Sequence, residues 1–236
     1  MVTNLVEQKS VKDWFNKTYQ NRGLSYLRPK EAYYIFLEIL KATPGSKILD
    51  IACGPGQLLK VAKEYELDLN GIDLSDVGIS MARQALPEAD LRVGNAEQLP
   101  FANNSFDYLT CLGSLERMID LPKVLQEIRR VAKKDAKLCF MVRNSDRASW
   151  KFIKETLGII NKKGHQGAKS LENWTRIFEE AGFQIKAVYP DIWPSKRWAR
   201  WFSLGSRLFP VNFKEVQQAD DSIDQAYEFI FHLELA

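Results

Sequence analysis

Two glycines, Gly54 and Gly56, interrupt the stretch KILDIACGPGQLLKVA at residues 47–62, where an apolar run passes directly into helix-forming sequence. Glycine tolerates positive φ and lets a ligand approach the main chain without meeting a Cβ. The helix that follows offers unpaired N–H groups and the positive end of its dipole to an anion. Asp50, just ahead of the loop, can accept hydrogen bonds from loop amides or hold a ligand's ammonium, and Ala52 opens the loop beside Cys53. Seventeen residues past Gly56 stands Asp73, in LNGIDLS. A carboxylate at the carboxyl end of the second strand of an open α/β sheet is where both hydroxyls of a ribose are held. The other duty open to Asp73, capping the helix that begins at Asp76, can be met by Ser75 alone. Loop and carboxylate together point to an adenosine-containing ligand. A dinucleotide is disfavoured, because Leu59 stands where the dinucleotide fingerprint needs a third glycine.

These residues need a scaffold that brings strand ends together, and the pattern from Lys47 onward supplies one. Short apolar strands near Lys47–Ala52, Leu67–Asp73, Ala89–Gly94, Phe106–Leu112 and Lys137–Val142 alternate with amphipathic helices near Gln57–Tyr65, Asp76–Leu86 and Leu121–Ala132. That alternation is the signature of a three-layer, doubly wound, mostly parallel sheet. A further helix pair, Asp146–Ile160 and Ser170–Ala181, flanks the loop NKKGHQG, and strands Phe183–Tyr189 and Tyr227–Leu235 follow. Ahead of the sheet, residues 1–45 read as a helical leader with Ser10 as a helix cap and a second helix over Arg28–Lys41. The chain reads as one domain: leader, core at 46–145, and a second half at 146–236 carrying an insertion at 191–224.

Composition narrows the function classes. Over 236 residues, 45% hydrophobic and 27% charged are ordinary globular values, which excludes disorder and fibrous folds. A net charge of +3 gives no global field of the kind that marks nucleic-acid binders. Cys53, Cys111 and Cys139 are odd in number and lie in apolar runs, so free thiols in a reducing compartment are expected rather than disulfides or a metal site. No apolar run reaches the length of a signal peptide or a membrane span, and a cytoplasmic location is expected.

Several motifs together resemble the class I S-adenosylmethionine-dependent methyltransferases, closely over roughly residues 45–145. LDIACGPG is similar to that family's glycine loop, IDLS to its acidic ribose site, GNAEQLPF to its adenine-binding segment, and SFDYLTCLGSLERMID to the fourth strand edging its active site. The resemblance implies a seven-stranded sheet whose last strand is antiparallel and inserted beside the fifth. It implies that Gly54 and Gly56 line the methionine part of the cofactor and Asp73 binds the ribose. Leu74 would pack on one adenine face, Asn95 and Ala96 border the adenine edge, and the backbone of Cys111, Leu112 and Gly113 approach the methionine ammonium. This chain departs from the pattern at Asn95, where many relatives have Asp, and at Arg117, where they often have His after the glutamate.

A sulfonium is a methyl donor with a good leaving group, so transfer is an in-line displacement in which the protein chiefly positions the reactants. A hydroxyl or ammonium acceptor also needs a base. His165, in NKKGHQG, Glu116 and Tyr19 are the candidates, with Tyr26 a further residue within reach of an acceptor; spacing alone favours reading His165 as a solvated loop residue, and His232 more firmly still as a sheet residue. Tyr19 to Arg28 suits a lid, whereas Tyr33, Phe36, Leu37 and Leu40 are spaced as a core stripe. In the insertion, Trp198, Trp201, Phe202, Leu208 and Phe209 share one helical arc opposite Lys196, Arg200 and Arg207. That arc suits packing on the domain or against a second subunit, and less strongly a membrane interface, through 193–213. The expected activity is methylation of an oxygen or nitrogen on a small organic acceptor. A non-catalytic cofactor-binding protein is the alternative. An RNA or protein acceptor is disfavoured by Leu112-Gly113-Ser114-Leu115, where relatives acting on such substrates carry an Asn/Asp-Pro-Pro-aromatic motif.

Overall fold

The computed structural model describes residues 2–146, 167–193, 223 and 225–236. Seven strands form one sheet: β1 (Lys47–Ile51), β2 (Asp68–Asp73), β3 (Asp90–Val93), β4 (Phe106–Leu112), β5 (Ala132–Arg143), β6 (Phe183–Pro190) and β7 (Glu228–Leu235), in the order β3-β2-β1-β4-β5-β7-β6. The first five strands pair in parallel, and β7 runs antiparallel between β5 and β6. Chain order reverses beside β1, so a crevice opens between the carboxyl ends of β1 and β4 where the two connections part.

Both faces are covered because the strands alternate. Ile48, Tyr108, Cys139 and Met141 pack with α2 (Tyr34–Leu40), α3 (Gln57–Glu64) and α4 (Asp76–Ala85) on one face. Leu49, Leu109, Phe140 and Phe231 pack with α5 (Leu121–Val131) and α6 (Leu171–Glu180) on the other. Local chemistry sets the helix starts: Ser75, Asp120 and Ser170 accept from Gly78, Lys123 and Asn173 amides respectively.

Two boundaries in the leader differ from the sequence reading. Ser10 does not cap a helix; α1 runs through it from Val2 to Arg22, since a mid-helix serine costs only a few tenths of a kcal/mol and no glycine or proline intervenes before Gly23. The expected helix over Arg28–Lys41 starts only at Tyr34. Leu27 (φ −95°, ψ 169°) and Pro29 (φ −65°, ψ 157°) are extended, proline also disfavours the helical region for Arg28 between them, and a 3-10 turn at Lys30–Ala32 follows. The expected helix over 146–160, and almost all of the amphipathic insertion, lie outside the described residues. Among the described residues no helix is long and apolar enough to cross a membrane, and all three cysteines are free and buried.

Candidate active site

The loop after β1 turns on three left-handed residues: Ala52 (φ 60°), Gly54 (φ 49°) and Gly56 (φ 75°). A left-handed alanine is a strained choice, retained where surrounding structure over-determines it. Here the loop is stitched to β2. Cys53 N donates to the Ile72 carbonyl at 3.1 Å, and Gly54 N donates to Asp73 Oδ2 at 2.8 Å, while Ser75 N donates to Asp73 Oδ1 at 2.7 Å. Burial pushes the Asp73 carboxyl up to about 6, against the pull of those two amide bonds. Each carboxylate oxygen accepts one amide and retains a lone pair for a further donor. The two glycines have different neighbours. A Cβ on Gly56 would meet Ala82 of α4 and Leu86 just past its end at 3.3 Å, so Gly56 permits helix packing; a Cβ on Gly54 would lie 2.5 Å from the Tyr19 hydroxyl oxygen.

Beside the loop lies an open cleft of about 550 Å³. Ala52, Ile72, Asp73, Leu74, Gly94, Asn95 and Ala96 form its sheet side, Val11, Phe15 and Tyr19 of α1 its roof, and Ser114, Arg117 and Met118 its far wall. Asn95 is tied into an Asx turn, its Oδ1 accepting from Glu97 N at 3.0 Å. Polar contacts hold α1 over the cleft. Gln8 donates to Glu97 at 3.0 Å, Lys12 pairs with Asp76 at 2.8 Å, and Asn16 Oδ1 accepts from Ser75 Oγ at 2.6 Å. The Arg117 guanidinium sits 5.2 Å from the Phe15 ring centre. Tyr19 is 5% exposed, and burial first, then Asp73, raises its phenol well above the ordinary value, so it stays protonated.

Beyond the loop, Asp50 accepts from Thr110 Oγ1 on β4 at 2.7 Å, and burial pushes its carboxyl up to about 7. Cys111 is fully buried, and Gly113 (φ 68°) donates its N–H to the Met141 carbonyl at 2.8 Å. Past this point the carboxyl edge carries a chain of alternating charges. Arg28, from the leader, forks onto Asp191 with N···O distances of 3.0 and 2.6 Å and also bonds Glu228. Arg143, at the end of β5, reaches Glu228 at 3.5 Å and lies 3.9 Å from Glu116.

Residues 49–140, the segment holding the loop, Asp73 and the cleft's sheet side, match the methyltransferase domain family. The chain belongs to the class I S-adenosylmethionine-dependent methyltransferases. It is 29% identical over 174 residues to a demethylmenaquinone methyltransferase of Listeria monocytogenes, covering 62% of this chain and 73% of that one. A Bacillus cereus protein of the same name is 28% identical over 219 residues, 78% of this chain and 91% of that one. A solved methyltransferase from Thermotoga maritima, described as a possible histamine N-methyltransferase, superposes with a TM-score of 0.66 at 19% identity, covering 95% and 97% of the two chains; at that identity the likeness speaks for the fold.

The methyltransferase uses S-adenosylmethionine, and its crevice fits that cofactor. Asp73 retains acceptor capacity at the cleft wall beside Ile72, Leu74, Asn95 and Ala96, and over the bare Gly54 main chain stands the Tyr19 hydroxyl, which a bound group would displace. When bound, the cofactor supplies an electrophilic methyl group; the protein's part is to bind, orient and exclude water. The structure brings Ala52, Asp73, Leu74, Asn95, Ala96 and Tyr19 to one cleft, sets Asp50 and Cys111 beneath the crevice floor, and leaves Gly56 facing α4. Glu116 lies within the far-wall segment, between Ser114 and Arg117, without lining the cleft itself, His232 sits mid-strand opposite Cys139, and His165 falls outside the described residues. The sequence reading missed Asn16, Asp191 and Glu228, and placed Arg28 in a lid with no ion-pair role. Only Arg28 carried a local signal, a charge fixed in extended backbone by the proline after it.

Proposed function

We propose that this methyltransferase acts on an oxygen or nitrogen of a small organic acceptor, a biosynthetic intermediate rather than a macromolecule. The observation that carries this reading is the roof. Phe15 and Tyr19 of α1 close the cleft from above, and the alternating charges from Asp191 to Glu116 wall the far side of the same edge. A reacting carbon between them is screened from water and from bulky partners. The name shared by the Listeria and Bacillus relatives puts a naphthoquinol, which carries two hydroxyls, among the acceptors to try. The protein should transfer labelled methyl from S-adenosylmethionine to at least one member of a panel of quinols, phenols and amines. Tight cofactor binding with no label transferred to any of them, or transfer only to RNA or protein, would replace this reading with a non-catalytic or macromolecular one.

A further inference from the structure

The three carboxylates along the acceptor edge are unequally served. Asp191 and Glu228 share the Arg28 guanidinium, and Arg143 donates to Glu228. Glu116 is left over. Its side chain is 0% exposed, and among the described residues neither carboxylate oxygen has a side-chain hydrogen-bond partner; Arg117, next in the chain, and Arg143, whose Nε stands 3.9 Å away, are the cations that act on it. Buried carboxylates are ordinarily hydrogen-bonded, so one left with no donor costs stability and calls for a physical reason.

Its position supplies one. Glu116 lies in the 3-10 turn Leu115–Arg117 directly after β4, and Ser114, Arg117 and Met118 of the same short segment line the cleft. A Cβ on Gly167 would run into the Glu116 carbonyl, so the turn is also clamped from behind. Among the described residues the other candidates for taking a proton fall away. Tyr19 is a phenol held neutral, a guanidinium such as that of Arg117 cannot accept one, and His232, whose Nε2 is also unpartnered, is paired mid-strand with Cys139 and Ala187 rather than at this edge.

We propose that Glu116 is the acceptor's hydrogen-bond partner and its base: the substrate brings the missing donor, an O–H or N–H on the atom to be methylated. This rests on the small-acceptor reading above. In the transfer the acceptor's proton passes to a Glu116 carboxylate oxygen and the acceptor's lone pair forms the new bond to the methyl carbon. The carbon–sulfur bond breaks with its electron pair going to sulfur, which leaves as a neutral thioether. Burial holds the Glu116 carboxyl above its ordinary range, against the pull of its own backbone amide and of Arg117 and Arg143, which favours its keeping the proton it takes.

The test uses the full chain loaded with S-adenosylhomocysteine and titrated anaerobically by calorimetry with a naphthohydroquinone and with its dimethyl ether. Wild type should bind the diol at least about tenfold tighter than the ether, because a site built to receive an O–H rejects the analogue that lacks it. Glu116→Leu should bind both alike, keep its affinity for S-adenosylhomocysteine within about twofold, and melt no lower than wild type, as no donor loses a partner. Equal or absent affinity for the two probes in wild type overturns the proposal. So does a Glu116→Leu protein that melts well below wild type, which would make Glu116 the structural partner of Arg143. Failure of the small-acceptor reading looks different: methyl label reaches no panel member while the diol still prefers wild type over Glu116→Leu.

Discussion

The two halves of the carboxyl edge solve opposite problems. On the β1–β2 side the polar groups are held by the main chain: both Asp73 oxygens take amides, Asn95 closes its own turn, and Ser75 Oγ accepts from Gly78 N. Such a half is rigid before any ligand arrives, and what it presents is backbone shape, which suits a cofactor shared across a large family. On the β5–β7 side, charges are held by other charges drawn from distant parts of the chain, and one is left without a donor. There the arrangement depends on side chains alone, which is where one member of a superfold differs from another.

The largest effect should come from cutting the charge chain at its best-connected point. Arg28→Ala leaves Asp191 buried without a cation and Glu228 with only the longer Arg143 contact, and should destabilise the fold by about 3–5 kcal/mol, read as a fall in the urea midpoint. Arg28→Lys restores the charge but not the fork and should recover only part of the loss. If Arg28→Ala unfolds like wild type, the acceptor side does not depend on this chain and the contrast fails. On the other half, Asp73→Ala should weaken S-adenosylhomocysteine binding by a factor on the order of 10–100 in calorimetry, the loss of charge-assisted bonds to two hydroxyls. Unchanged affinity would remove the ribose assignment and leave Asp73 as a staple for Gly54 and Ser75.

The same contrast explains what could be read in the sequence. Strands, their alternation, the loop and Asp73 were legible because each is written within a few consecutive residues, and the sheet order then follows from the resemblance of those segments taken in order. The Arg28–Asp191 and Arg28–Glu228 contacts join residues 163 and 200 positions apart, and Asp50 meets Thr110 across 60. No local pattern marks such partners; they exist only once β1 and β4, or the leader and β6, lie side by side. Ser10 misleads for the converse reason: a short polar residue looks like a cap whether or not a helix already runs through it. The late start of α2 was written in Pro29, whose restriction of Arg28 outweighs the apolar spacing that follows.

A smaller effect concerns pH. Asp50 and Asp73 both have folded-state values raised above the ordinary 3.8, to about 7 and about 6. The folded protein therefore binds protons more tightly than the unfolded chain, and stability is greatest below about pH 4 as far as these two groups are concerned. It is lost as the pH rises through about 6 and 7, at no more than about 1.4 kcal/mol per pH unit for each proton. Asp50→Asn should flatten the upper part of that decline in urea midpoints measured across the window. A wild-type midpoint that rises from about pH 5 to about pH 7, with Asp50→Asn rising in parallel, would show that Asp50 is ionised in the fold and that Thr110 is not its only support.

The smallest effect separates roof from floor. The Tyr19 hydroxyl lies so close over Gly54 that even a Cβ there would collide with it, and the ring edge also rests on Gly78. Any ligand that lies against the Gly54 main chain has to displace that hydroxyl, while α1 itself stays tied through Gln8, Lys12 and Asn16. Binding that waits on such a displacement has a reduced association rate. Tyr19→Phe keeps the ring on Gly78 and removes only the obstructing atom. In stopped-flow it should raise the association rate of S-adenosylhomocysteine by about two- to fivefold and leave dissociation unchanged. A faster dissociation with unchanged association would mean that the hydroxyl is a partner of the bound ligand, and the roof would then belong to the pre-formed half of the site rather than standing between it and solvent.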